Sequence, residues 1–143
     1  MRNGRGKFYY QDGGYYEGQW KNNKMDGYGK LYYEGGKIAY EGEWSQDEFN
    51  GLGKVYNDNP VNFHGSFDYT NFDYLEDYWE YYEGMLQKDT KEGRGRIKLS
   101  NGEMFEGDFH EDKIQGFGKF HTNDGKTVEG IWRDSKLLKV ISN

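Results

Sequence analysis

One stretch, Tyr40 to Tyr56, constrains everything else. It reads YEGEWSQDEFNGLGKVY and is a complete copy of a unit that recurs along the chain. The unit opens aromatic-Glu-Gly-x-aromatic and closes Gly-x-Gly-Lys-apolar. Copies open at Tyr16, Tyr40, Phe63, Tyr82 and Phe105, with a half unit over 4–14 and a last half unit over 128–143. From Gly18 the steps between opening glycines are 24, 23, 19, 23 and 23 residues, so only one is out of line. A period of this size signals a repeat architecture, in which each unit buries its face only against its neighbours.

The local period is that of strands. Tyr40, Gly42 and Trp44 alternate and share one face, and Gly51, Gly53 and Val55 share one face of the next strand. The chain holds 14 Tyr, 9 Phe and 4 Trp, so aromatic rings must supply most of the buried area. The stripe Trp20, Trp44, Phe67, Leu86, Phe109 and Trp132 is expected to form the stack that replaces a core. The expected fold is all-β, one elongated domain built as an antiparallel meander of repeated hairpins.

Turn chemistry sets the register. Facing Lys7 with Glu17 centres a turn on Asp12-Gly13, Arg96 with Glu106 on Asn101-Gly102, and Lys119 with Glu129 on Asp124-Gly125. Each reads as a three-residue loop with Gly left-handed. Lys30 facing Glu41 centres on Gly35-Gly36. The six residues between the closing aromatic and Gly-x-Gly read as a connection. Met25, Phe49, Phe72, Ile114 and Leu137 are expected to plug it from below.

The pattern breaks over Phe63 to Glu83. Tyr74 and Glu76 stand where Gly-x-Gly belongs, Asp77 stands where Lys belongs, and Pro60 stands in a glycine turn slot. Proline cannot take a positive φ, so that loop must differ. From Val55 to Gln87 there is no Lys or Arg but seven acids, and the rest of the chain sums to +1 against a net charge of -6. Acids interleaved with exposed rings suit a basic or amphipathic protein segment, through hot-spot aromatics and cation–π pairing. The candidate partner-binding residues are Asp68, Tyr69, Phe72, Asp73, Tyr74, Glu76, Asp77, Trp79, Glu80 and Tyr81. The competing reading is a decayed repeat with solvated acids.

Catalytic and cofactor chemistry finds no foothold in the pattern. No Gly-x-Gly extends to a phosphate-binding loop. His64, His110 and His121 lack metal-cluster spacing, and Asp73, Glu76 and Asp77 lack that of a calcium loop. With no Cys, thiol chemistry and disulfides are absent. No apolar run approaches the ~20 residues of a spanning helix. The acidic balance disfavours nucleic acid and anionic membranes. A non-enzymatic cytoplasmic protein without cofactor or metal is expected.

These units, YEGQW at 16–20, YEGEW at 40–44, YEGML at 82–86 and FEGDF at 105–109, each followed by Gly-x-Gly, resemble the MORN repeat (membrane occupation and recognition nexus). The resemblance implies a twisted, trough-like antiparallel sheet and a scaffold or adaptor role. It points to cytoskeletal, notably ciliary and radial-spoke, assemblies. It also implies a trough able to hold a partner peptide. The open strand at Gly4–Tyr10 is expected to offer an edge for a second copy or another chain. Two other readings are a phosphoinositide-binding module and a regulatory subunit of a separate enzyme.

Overall fold

The opening and closing glycines of every unit meet. The structure, a computed structural model describing residues 2–142, is one sheet of eleven antiparallel strands in chain order. They are β1 (Gly4–Tyr9), β2 (Tyr15–Lys21), β3 (Lys24–Tyr32), β4 (Ile38–Ser45), β5 (Glu48–Tyr56), β6 (Trp79–Gln87), β7 (Thr90–Leu99), β8 (Met104–His110), β9 (Lys113–His121), β10 (Thr127–Arg133) and β11 (Lys136–Ser142). The last half unit ends at Asn143, which lies outside the described residues. Across the first ten strands one register row is glycine throughout: Gly6, Gly18, Gly29, Gly42, Gly53, Gly84, Gly95, Gly107, Gly118 and Gly130.

The glycine row exists because rings lie on it. The opening aromatic of each unit folds over the second glycine of its own Gly-x-Gly: Tyr16 over Gly29, Tyr40 over Gly53, Tyr82 over Gly95 and Phe105 over Gly118. A methyl group at any of these glycines would overlap the ring. The hydroxyls of Tyr16, Tyr40 and Tyr82 donate to the carbonyls of Gln19, Glu43 and Met85 at 2.8, 2.7 and 2.6 Å. The closing aromatic stands edge-on to the opening one, at 5.3 Å for Tyr16–Trp20 and 5.2 Å for Tyr40–Trp44. Contacts between units repeat that geometry at 5.1 Å for Tyr16–Trp44 and for Phe105–Trp132. Tyr16, Tyr40, Tyr82 and Phe105 are fully buried. This ring face, the inner face, is the core.

The connection within each unit differs from the expectation. It is not a six-residue loop but a two-residue turn between paired strands: Asn22–Asn23, Gln46–Asp47, Lys88–Asp89, Glu111–Asp112 and Asp134–Ser135. Each pair has φ near 50° and then near 70°, as for Gln46 at 48° and Asp47 at 71°. This is the primed turn that matches strand twist. None contains Gly, so the usual hairpin signal is missing. The positive-φ glycine lies further on, at Gly51 (107°), where β5 bulges against β4. Met25, Phe49, Ile114 and Leu137 face the closing aromatics across these hairpins.

The second turn residue clasps the preceding hairpin. Asp47 donates its N–H to the Met25 carbonyl at 2.9 Å, and its carboxylate accepts the Met25 N–H at 2.7 Å. Asp89 with Phe49, Asp112 with Lys91, and Ser135 with Ile114 repeat the pair. The other ends follow the expected register: Lys7–Glu17, Lys30–Glu41, Arg96–Glu106 and Lys119–Glu129 face one another. The outer face thus carries an alternating charge ladder. Its pairs are exposed, as in Arg96–Glu83 at 2.6 Å, and each adds at most ~1 kcal/mol.

The unit expected to open at Phe63 is not a repeat. β5 pairs directly with β6, Gly53 facing Gly84 and Lys54 facing Glu83, so the array continues as if residues 57–78 were absent. Those residues leave the sheet after Tyr56, cross the inner face and return at Trp79. The irregular 19-residue step therefore belongs to an insertion, and Phe72 plugs no hairpin. Among the described residues there is no α-helix, hence none long and apolar enough to cross a membrane.

The ring-on-glycine contact predicts that Gly53→Ala costs about 2–3 kcal/mol by overpacking, whereas Leu52→Ala, next to it but 61% exposed, changes stability by less than ~0.5 kcal/mol in urea unfolding. Burial pushes the Tyr16 hydroxyl up to about 12 and those of Tyr40 and Tyr82 above the ordinary phenol range. The unfolded chain then releases these protons first. Their contribution is complete below the ordinary value of 10.0 and falls as pH rises through about 12. Urea midpoints measured across that window are expected to decline.

Candidate functional site: a strap over the inner face

The insertion carries most of the candidate partner-binding residues, and its own sequence dictates how it lies. Its neck is closed by backbone bonds from Asn57 N to Glu80 O (2.9 Å) and from Val61 N to Asp77 O (2.8 Å). Beyond the neck, Phe67 and Phe72 are both buried, and the chain between them turns at Asp68–Asn71, where the Asn71 N–H donates to the Asp68 carbonyl at 3.3 Å, as it crosses β8–β11. The Phe72 ring stands 5.1 Å from Phe105, 6.0 Å from Phe120 and 6.2 Å from Trp132. The indole N–H of Trp132 donates to the Tyr69 carbonyl at 2.9 Å. Asn71 caps a single 3-10 turn, Phe72–Tyr74, by accepting the Asp73 N–H.

A polar clamp fixes the strap at its other side. Glu103 is 1% exposed. Its carboxylate accepts the Phe67 N–H at 2.7 Å, the Asn101 side-chain amide at 2.6 Å and the Asn123 N–H at 3.2 Å. The amides of Asn101 and Asn123 also converge on the Gly65 carbonyl, at 2.9 and 2.8 Å. Such a buried carboxylate is tolerable because these N–H donors replace its water. Sequence reasoning missed this clamp. Its one signal is Glu103 in the slot after the turn glycine, where the next unit has Lys126.

The strap also finishes the array. Met25, Phe49, Lys91 and Ile114 give their N–H to a side chain of the following turn, but Leu137 gives its N–H to the Thr70 carbonyl at 2.8 Å. Phe72 N–H returns to Ser135 O at 2.8 Å. Asp73 reaches Lys136 at 2.8 Å and Lys113 at 3.9 Å. The hydrogen bond from Lys136 holds the Asp73 carboxyl below the usual carboxylate range.

The repeat pattern now stands on sequence and geometry together. The family model for the MORN repeat matches residues 1–15, 16–38, 40–59, 82–104 and 105–127, more than half of the chain. This chain belongs to the MORN-repeat family. No curated protein matches it. The matched MORN segments leave out residues 60–81, the span that contains nearly all of the strap.

Of the sequence candidates, Asp68, Asp73, Tyr74, Glu76 and Asp77 are exposed, while Tyr69, Trp79, Glu80 and Tyr81 are half-buried. Phe72 faces the MORN sheet, not solvent. Tyr81 lies on the outer face under Lys54, 4.2 Å from its ring centre, so the candidates do not form one surface. In the ring stack, Trp20, Trp44, Phe109 and Trp132 belong to the sheet, and Phe67 reaches it only from the strap. His64 is exposed on the strap, His110 pairs with Glu92 at 2.6 Å and His121 with Glu106 at 3.0 Å. Among the described residues, no three carboxylate or imidazole groups converge as a metal site.

Phe72 is the strap's anchor, so Phe72→Ala is expected to cost about 3 kcal/mol and to raise solvent access at Trp132. Tyr74→Ala, 65% exposed, is expected to stay within ~0.5 kcal/mol. Urea unfolding followed by tryptophan fluorescence separates the two.

Proposed function

We propose that the chain is a non-catalytic scaffold or adaptor that docks a basic or amphipathic segment of a protein partner on the outward side of the strap. MORN repeats are protein- and membrane-interaction modules, and a general scaffold role follows from membership of the family. The observation that carries the finer reading is the sorting of side chains on the strap. Its Phe rings point inward, and its acids point out. Asp68, Glu76, Asp77 and Glu80 form no ion pair among the described residues. Tyr74 stands among them with two thirds of its surface in solvent. A basic segment brought against this surface gains charge pairing at several carboxylates and a ring for a guanidinium to stack on.

A cytoplasmic place in a cytoskeletal, ciliary assembly fits an adaptor built as one eleven-stranded sheet in chain order. The expected edge-strand partner belongs to the same reading, because β1 presents one side of its backbone to no other strand of this sheet.

The test compares wild type with a variant carrying Asp68→Asn, Glu76→Gln, Asp77→Asn and Glu80→Gln. Asp73 is left intact because it ties down Lys136. Crosslinking capture from native extract is expected to join one protein to residues 68–80 of wild type, with capture reduced at least tenfold in the variant and by added salt. Equal capture by both proteins contradicts the docking surface. Recovery with phosphoinositide vesicles in place of protein, or a copurifying enzyme activity that depends on this chain, overturns the purely structural role.

A further inference from the structure

The strap site has an uncovered twin. In repeat position Phe8 and Trp20 correspond to Phe120 and Trp132, since Gly4 faces Trp20 as Gly116 faces Trp132. Met25 faces Trp20 as Leu137 faces Trp132, and Lys24 stands where Lys136 stands. At the strap end, Phe120 and Trp132 are 0% and 1% exposed because Phe72 and Tyr69 cover them. At the twin, Trp20 is 9% exposed, but Phe8 is 41% exposed and Tyr10 lies open beside it. The indole N–H of Trp20 is buried with no acceptor among the described residues, whereas Trp44 donates to Gly29 O and Trp132 to Tyr69 O. A buried donor left unpaired costs about 1–3 kcal/mol, which a ligand carbonyl would recover.

We propose that the cleft lined by Phe8 and Trp20 docks a short turn-forming segment of a partner protein in which a Phe is followed by an acid, seated as Phe72-Asp73 is seated in its 3-10 turn on the strap site. The cleft, about 510 Å³, is lined by Trp20, Met25, Phe8 and Tyr10 together with Arg2, Asn23 and Asp47, whose carboxylate is already tied to the Met25 N–H. The partner's ring packs in the cleft against Phe8 and Trp20, whose own ring centres lie 6.3 Å apart. A backbone carbonyl of the same segment accepts the Trp20 N–H, as Tyr69 O accepts that of Trp132. The acid meets Lys24, the equivalent of the lysine that binds Asp73, and the Arg2 guanidinium, which lies 4.5 Å over Trp20. One strap contact has no counterpart. Met25 N is already held by Asp47, so the bridge from Leu137 N to Thr70 O cannot be copied. Side chains and the indole therefore carry the docking. This surface is separate from the acidic outer side of the strap and does not depend on it.

The probe is a capped synthetic peptide of residues 66–75, titrated into the full chain and followed by amide and indole NMR shifts. Saturable shifts are expected at the Trp20 indole N–H and at Gly6, which lies beside it. The same peptide with Ala in place of its second Phe is expected to bind at least tenfold more weakly. So are Phe8→Ser and Lys24→Glu, two exposed positions whose change leaves the core intact, as unaltered Tyr16 and Trp44 signals verify. The proposal is overturned if no saturable shift appears. It is equally overturned if the shifts centre on Trp132, showing exchange with the strap, or if neither variant weakens binding.

Discussion

Everything in this sheet depends on an aromatic ring lying flat on a glycine. The contact explains most of the register row that is glycine across ten strands: a side chain at eight of these positions meets Tyr16, Tyr40, Tyr82 or Phe105, and at Gly6 and Gly130 it meets Trp20 or Leu137. It also explains how a chain with few aliphatic residues forms a core at all. The core is a single layer of rings, edge to face, supported from beneath by bare backbone. Each tyrosine then needs a partner for its hydroxyl, and a carbonyl three residues along the same strand supplies it. The same economy sorts the two faces: the rings crowd the inner face, and the charge ladder keeps the outer face in water.

A layer one ring thick is covered only by its neighbours, and the strap supplies a second layer where the C-terminal rings gather. Phe67 and Phe72 complete the packing over Phe105, Phe120 and Trp132, and Thr70 takes the N–H that a following turn would otherwise accept. The insertion is therefore both lid and cap. Its amphipathic sorting follows from that role, since a segment that gives its rings to the sheet leaves its carboxylates outside. At the other end no lid covers the equivalent rings among the described residues, and the Trp20 indole, without an acceptor there, is the clearest sign of the difference.

Much of the fold was legible in the sequence because the signals were local. The period, the alternation of Tyr40, Gly42 and Trp44, and the turns at Asp12-Gly13, Asn101-Gly102 and Asp124-Gly125 each follow from neighbouring residues, and all appear as read. The two-residue turns were not legible, because Gln46-Asp47 and its equivalents reach positive φ without glycine, held there by clasp bonds between units. The strap was misread for a different reason. Phe63-His64-Gly65-Ser66-Phe67 imitates a repeat opening letter for letter in its aromatic and glycine positions, yet lacks the Gly-x-Gly partner strand on which its ring would lie. The missing basic residues and Pro60 marked the break, but the destination of Phe72, fixed by contacts with Phe105, Phe120 and Trp132, is long-range. Glu103 was invisible for the same reason: its donors gather from its own turn at Asn101, the next turn at Asn123 and Phe67 on the folded strap.

The central claim is that the repeat array closes across the insertion, with β5 paired to β6 and the strap lying over the rings. The most direct measurement is the set of cross-strand NMR contacts made by the Gly53 α-protons. The account predicts strong contacts from Gly53 to Gly84, together with contacts from the Phe72 ring to Trp132. Contacts from Gly53 to Gly65 would show instead that the Phe63 segment is a strand of the sheet, and would contradict the account.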